Sequence, residues 1–137
     1  TSEQAQVLFK NIGKIEAPYI KAKIADILWV SKKLDKNNIK AAEVAIGAYQ
    51  ESVNLFISRH SEYEFAFLHA WQDLKRLSVL IQSIKKQNVR DDFYQQLLGY
   101  FANSTIFDNN KNKVFFVVVC EILLNYNLTP DEAKEKA

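Results

Sequence analysis

The sequence predicts an all-α protein built from stacked antiparallel helical hairpins. Glycine and proline, which interrupt helices, are scarce, with three and two residues among 137. Apolar residues recur at intervals of three and four over nearly the whole chain, as expected for amphipathic helices. This length matches one domain with a substantial core, so we assign residues 1–137 to a single helical domain.

The first helix is predicted over residues 3–12, where Gly13 could end it. The second begins at Pro18, because the fixed φ of proline suits the first helical position, and runs to Leu34. Residues 35–38 form a turn. The predicted inner face of the second helix consists of Ile20, Ile24, Ile27, Leu28 and Leu34.

The third helix, over residues 39–58, shows the clearest amphipathic pattern. Its apolar face consists of Ile39, Ala42, Ile46, Tyr49, Val53 and Phe56. Beside this face runs a stripe of small residues, Ala41, Ala45, Ala48 and Ser52. Small side chains permit close approach of a neighbouring helix, so the second and third helices are predicted to form a hairpin.

A capping box at residues 61–64 predicts the start of a fourth helix, which runs to Lys86. Residues 88–103 form the fifth helix, built on Phe93, Leu97, Tyr100 and Phe101. The buried positions predicted for the fourth helix are Phe67, Trp71, Leu74, Leu77, Ile81 and Ile84. Trp29 and Tyr49 are also expected in the core.

Residues 114–126 are ambiguous, because the β-branched and aromatic residues at their start favour a strand. The sequence offers no convincing partner strand, and the segment continues smoothly into Ile122, Leu123 and Leu124. We therefore predict a buried helix.

The C-terminal residues contain the signals of a helix start. Thr129 can cap, Pro130 suits the first helical position, and Glu132 completes a capping box. The sequence stops about two turns later, so we expect the chain to be a piece of a longer multidomain protein. Apolar surface before this end would then dock against further chain or self-associate. A frayed charged tail is the alternative.

The composition bears on the classes of partner. A net charge of +2 is far from the basic balance of most nucleic-acid binders, and acidic residues interleave with the lysines of residues 21–40. The single cysteine, Cys120, indicates a reducing compartment such as the cytoplasm. No apolar run approaches the roughly 20 residues of a membrane span. Paired helices about 40 residues apart are typical of TPR or HEAT proteins, so a TPR/HEAT-like bundle or short solenoid is expected, although no fixed-period signature residues recur.

Two stretches carry a resemblance to a known module: residues 22–29, AKIADILW, and residues 41–49, AAEVAIGAY. Together with residues 71–77, WQDLKRL, they resemble a helical module of unknown function near the N-terminus of large uncharacterised bacterial proteins. The resemblance covers residues 15–100. It implies that any catalytic residues lie in a separate downstream domain, and it offers no functional residues to carry over. Lys23 stands where such modules commonly carry arginine.

Candidate metal sites are weak in this sequence. His60 and Glu64 are four residues apart, as are His69 and Asp73, so each pair could share a helix face. Zinc requires three or four ligands at defined spacings, and neither HExxH nor paired cysteines occur. We interpret both pairs as surface contacts and predict no metal ion and no cofactor.

Candidate catalytic residues are equally weak. Cys120 lies inside an apolar run, which indicates a buried, inert thiol, and no glycine-rich phosphate loop occurs. Arg59 directly precedes His60, and no histidine follows Arg76 or Arg90, so the arginine–histidine spacing of some helical RNases is missing. The sequence predicts no catalytic residue.

Asp26 and Trp29 form the most motif-like pair. Asp26 could anchor a peptide beside the indole in a groove. Alternatively Asp26 bonds Lys23 or a neighbouring helix terminus while Trp29 fills the hairpin core, which is the interpretation we favour.

These observations favour a non-catalytic scaffold or protein-interaction module of a larger cytoplasmic bacterial protein. Its partner would be a protein or another domain of the same chain. The alternative is the regulatory part of an enzyme, such as a nuclease-type defence protein, whose catalytic domain lies elsewhere. Nucleic-acid binding ranks below both.

Overall fold

The computed structural model describes residues 1–59, 65–102 and 113–125. These residues form α-helices and no β-strand, which confirms the all-α prediction. Two short 3-10 turns, Ile12–Lys14 and Asp35–Asn37, precede the second and third helices. The helices are α1 (Ser2–Lys10), α2 (Pro18–Ser31), α3 (Asn38–Ser58), α4 (Ala66–Ile84), α5 (Gln87–Ala102) and α6 (Lys113–Leu124).

Helix α3 packs against both α2 and α4, and α4 packs in turn against α6. The ring of Tyr19 on α2 meets Phe56 of α3, whereas Asp26 meets Tyr49, so the two helices are antiparallel. Helices α3 and α4 are antiparallel as well, because His69 stacks on Phe56 whereas Asp73 bonds Ser52. Helices α2 and α4 therefore run parallel to each other along α3. The finer prediction of a TPR/HEAT-like stack stays a prediction.

The contact between α2 and α3 is built from alanine. The small-residue stripe predicted on α3 is buried, and its short side chains let the two helix axes approach closely. The buried alanines are Ala22 and Ala25 on α2 and Ala41, Ala42, Ala45 and Ala48 on α3.

This alanine contact corrects the inner face predicted for α2. Leu28 and Leu34 are buried as expected, but Ile20 and Ile27 are exposed. The isoleucines point outward because α2 turns its alanine side towards α3, so the largest apolar residues of the helix do not mark its buried side. Ile24 is only partly buried against the core.

The core predictions for α4 and α6 are largely confirmed. Residues 113–124 are helical, and Leu74 and Tyr49 are fully buried. Trp29 and Trp71 are partly buried and pack against the core. The rings that join the last helices are those of Phe67, Tyr100, Phe115 and Phe116.

Helix ends differ from the predicted ones by a few residues. Helix α1 ends at Lys10, before Gly13, and Asn11 caps it. Helix α2 ends at Ser31 because Lys32 adopts the left-handed conformation, with φ of 58°. The capping box at residues 61–64 and the helix predicted from Pro130 lie outside the described residues.

No helix in the described parts of the chain has both the length and the apolar character that crossing a bilayer requires.

Candidate functional site

Two ion pairs connect α2 to α4 across α3. The ammonium of Lys23 lies 3.1 Å from Oδ1 of Asp73. The guanidinium of Arg76 donates from Nε to Oδ2 of Asp26 at 2.7 Å and from Nη2 to Oδ1 at 2.6 Å. Each helix supplies one acid and one base, in opposite order, and we call these contacts the crossed ion pairs.

Helix α3 provides the hydroxyl groups beneath the crossed ion pairs. Tyr49 donates its phenolic proton to Oδ2 of Asp26 at 2.9 Å, and Ser52 donates to Oδ2 of Asp73 at 3.3 Å. Each carboxylate therefore accepts hydrogen bonds from one cation and one hydroxyl. These bonds, which we call the polar network, join the three helices, and both buried carboxylates have partners.

The acids of this network are buried and the bases cover them. Asp26 and Asp73 are 8% and 1% exposed. The side chains of Arg76 and Lys23 retain 34% and 41% exposure, so their charged ends close the network towards solvent. The long aliphatic parts of such side chains can lie along apolar surface while the charge stays near water.

Burial also sets the titration of the network. It raises the pKa of the Asp73 carboxyl, while Lys23, Ser52 and His69 oppose the rise. Burial and the bond to Asp26 raise the pKa of the Tyr49 phenol, which keeps that hydroxyl a hydrogen-bond donor. The same carboxylate raises the pKa of the Arg76 guanidinium through its hydrogen bonds.

An aromatic cluster lies one helical turn from the Lys23–Asp73 pair. Phe56 and His69 stack with ring centroids 5.0 Å apart, and Tyr19 meets both edge-on at 6.0 and 5.7 Å. Lys23 stands between this cluster and Tyr49, with its ammonium 5.2 Å from the Tyr19 ring and 5.0 Å from the Tyr49 ring.

Two pockets open on either side of Lys23. The first, which we call the aromatic pocket, has a volume of about 330 Å³ and is lined by Ala17, Pro18, Tyr19, Ser52, Leu55, Phe56 and Arg59. The second, the α2 pocket, measures about 600 Å³ and is lined by Lys23, Asp26, Ile27, Val30, Ser31, Tyr49 and Arg76. Both pockets are shallow and have apolar walls beside polar groups.

The structure corrects the partner predicted for Asp26. Lys23, three residues earlier on the same helix, bonds Asp73 instead, and Asp26 bonds Arg76 and Tyr49. A planar guanidinium can hold both oxygens of Asp26 at once, which a lysine on the same helix cannot do. Trp29 packs against the core at partial exposure, as the structural interpretation expected.

Of the two histidine–acid pairs considered as metal ligands, the structure describes only His69 and Asp73. His69 and Asp73 share α4, but His69 joins the aromatic cluster while Asp73 faces Lys23 and Ser52. His60 and Glu64 lie outside the described residues. Within the described residues, histidine, cysteine and acidic side chains do not gather in threes as a metal site would require.

Cys120 was predicted to be buried, and this prediction is wrong. The thiol is exposed, on the outward side of α6. Helix α6 buries Phe115, Val119 and Ile122 against its neighbours, and Val117 shares the exposed side with Cys120. The apolar run covers more of the helix circumference than α6 buries, so some of its residues, including Cys120, are exposed.

Arg76 is the site residue that sequence reasoning missed. A signal was available, because α2 carries Lys-x-x-Asp at residues 23–26 and α4 carries Asp-x-x-Arg at residues 73–76. On parallel helices, equal spacings with inverted charge order can pair in register. Without knowing that the two helices run parallel, the match is one of many that the sequence allows.

Three helices joined by internally paired charges, with open pockets on either side of Lys23, characterise this all-α protein. The chain belongs to the family of a domain of unknown function, DUF7380, whose profile matches residues 1–92. This confirms the resemblance to a domain of unknown function seen in the sequence. Comparison with curated proteins and with solved structures gave no match. The matched region contains the crossed ion pairs and both pockets, but not α6.

Proposed function

We propose that this chain is a non-catalytic interaction module that binds another protein, or another domain of the same protein, in the bacterial cytoplasm. The observation that carries the proposal is the outward row of apolar residues on α2. Ile27 and Val30 are 66% and 62% exposed, and Ile20 lies two turns earlier on the same row. Contiguous exposed apolar surface of this kind is typical of interaction sites.

The spacing of this row suits a helical or extended partner. Ile20 and Ile27 are seven residues apart and Val30 follows three residues later, so the side chains lie along one side of α2. Ile27 and Val30 also line the α2 pocket, whose opposite wall contains Arg76. A partner segment could place apolar side chains along α2 while its backbone approaches the polar groups of the pocket.

The charged network supports a structural role rather than catalysis. Asp73 is almost fully buried and already bonded to Lys23 and Ser52, and both oxygens of Asp26 are held by Arg76. A general acid or base must reach the proton of its substrate within hydrogen-bond distance. Using either carboxylate would require breaking the contacts that join α2 to α4.

Site-specific photocrosslinking tests the proposal. A benzoylphenylalanine replaces Ile27 in the chain expressed in its native host, and a matched chain carries the same group at exposed Lys40 on α3. We expect one protein to crosslink from position 27 but not from position 40. Val30→Asp should abolish that product, and the purified partner should reproduce it. Equal labelling from both positions, or labelling insensitive to Val30→Asp, would contradict the proposal.

A second surface supports self-association. Val114, Val117 and Leu124 are exposed on α6, on the same side as Cys120. Such a row could pair with its copy on a second chain. Sedimentation velocity should show a concentration-dependent dimer that Val117→Glu removes, and a monomer at all concentrations would contradict this part.

A further inference from the structure

The aromatic pocket is preorganised by stacked rings. Phe56 forms part of its wall, and His69 stacks on that ring while Tyr19 closes on both from the side. Each ring restricts its neighbours, so little side-chain freedom remains to be lost when a ligand enters. Pro18 and Leu55 complete the apolar lining. Its volume of about 330 Å³ falls at the lower end of the range of ligand pockets.

The charge at this pocket comes from Arg59. Arg59 lines it and is exposed, and its guanidinium makes no ion pair with any residue of the described ranges. No carboxylate from residues 1–59, 65–102 or 113–125 lines the pocket. Asp73 does not offset Arg59, because it is 1% exposed and is bonded to Lys23 and Ser52. Among the residues that the structure describes, the pocket therefore combines apolar walls with the exposed guanidinium of Arg59.

We propose that the aromatic pocket binds an acidic peptide segment. One bulky apolar side chain of the segment occupies the pocket, and a carboxylate within a few residues of it binds Arg59. The inference rests on the proposed function, because it names the chemistry of the protein partner. A carboxylate matches the planar guanidinium in a bidentate pair, which favours an acidic residue over a neutral polar one.

The position of the pocket favours a peptide over a small molecule. It is open rather than enclosed, and Ile20, the start of the exposed row on α2, follows Tyr19 directly in the chain. A peptide anchored in the pocket can continue along α2, burying more area than the pocket alone offers. This continuity supplies the additional contact area that a single small pocket lacks.

Selection from a random peptide library displayed on phage tests the inference directly, with the full chain as bait. We expect enriched sequences to carry an aromatic or large aliphatic residue within three positions of aspartate or glutamate. A fluorescein-labelled peptide of the consensus then gives affinities by anisotropy. Arg59→Glu should weaken binding about tenfold or more, as truncating a charge-assisted contact does. The matched charge reversal Lys40→Glu on the same helix should change affinity less than about twofold.

The decisive experiment exchanges the charges of the peptide and of position 59. A peptide in which lysine replaces the consensus acid should bind Arg59→Glu better than it binds the unaltered chain. Circular dichroism melts of the Arg59 and Lys40 variants check that both remain folded. Failure of the exchange, or peptides enriched without acids, overturns the inference, and so does a library that yields no binder.

The outcome separates this inference from the proposed function. Peptides whose binding is lost with Ile27→Asp but unaffected by Arg59→Glu overturn the aromatic pocket while supporting the interaction row on α2. If the chain with benzoylphenylalanine at position 27 gives no crosslinked protein, the proposed function is contradicted, whatever peptides the library yields.

Discussion

The two halves of this molecule are held together by different means. Helices α2 and α3 meet through alanines, and buried charges join both to α4, whereas α4, α5 and α6 meet through aromatic rings. Alanines contribute little buried area each, so the first half depends on close approach and on directional bonds. Rings bury 150–250 Å² each by general estimate, so the second half depends on volume. Directional bonds thus fix the geometry of the N-terminal half, whereas the burial of large rings stabilises the C-terminal half.

The largest expected effect is in the aromatic half. Phe115 is fully buried and contacts the rings of Phe67, Tyr100 and Phe116. Phe115→Ala removes this volume and leaves a cavity, so the free energy of unfolding should fall by about 4 kcal/mol. Urea denaturation measures it. A loss below about 1 kcal/mol would mean that the rings do not hold α6 against α4.

The charged half should respond differently to single and combined changes. Arg76→Ala leaves the buried carboxylate of Asp26 without its cation and should lower the free energy of unfolding by about 3 kcal/mol. Replacing the whole group with apolar residues, as Asp26→Leu, Tyr49→Phe and Arg76→Leu together, removes the stranded charge and should recover most of that loss. Urea denaturation of both variants gives the comparison, and additive losses would contradict it.

The pH dependence of Asp73 gives a smaller effect. Because burial raises its pKa above the ordinary 3.8, the folded chain retains the proton to higher pH than the unfolded chain does. The stability contributed by this group is therefore present at low pH and is lost as pH rises through the folded pKa. Relative to Asp73→Asn, the unaltered chain should therefore become less stable as pH rises from the ordinary pKa of 3.8 through the folded pKa. Denaturation of both chains across this range tests the sign, and a rise would reverse it.

The smallest effect is expected on the exposed row. Ile27→Asp should change the free energy of unfolding by less than about 0.5 kcal/mol, because the side chain is largely in solvent. A large loss in thermal or urea denaturation would show that Ile27 stabilises the fold and would remove it from the interaction surface.

Much of the fold could be predicted from the sequence, because helical periodicity and scarce glycine are local signals. The assignment of residues 113–124 to a helix is an example, although their composition favours a strand. Faces were harder. Ile20 and Ile27 were placed inside and Cys120 was placed in the core, because apolar character alone does not show which side of a helix its neighbours cover. Alanine contacts give a weak hydrophobic signal despite complete burial.

The candidate site could not be predicted from local pattern. Asp26 drew attention in the sequence, but its partner Arg76 lies 50 residues away on α4, which runs beside α2 along α3. The pairing of Lys23 with Asp73 depends equally on the parallel course of α2 and α4. Sequence spacing fixes neighbours within a helix, whereas the choice among cross-helix partners requires the arrangement of all three.

The crossed ion pairs also act against misfolding. If α4 slid by one turn towards one end, Asp73 would face Asp26, and a slip the other way would bring Arg76 to Lys23. Either slip places like charges together near a buried surface, where repulsion is poorly screened. The pairing of the four charges thus favours the native alignment of α2 and α4 over an alignment shifted by one turn.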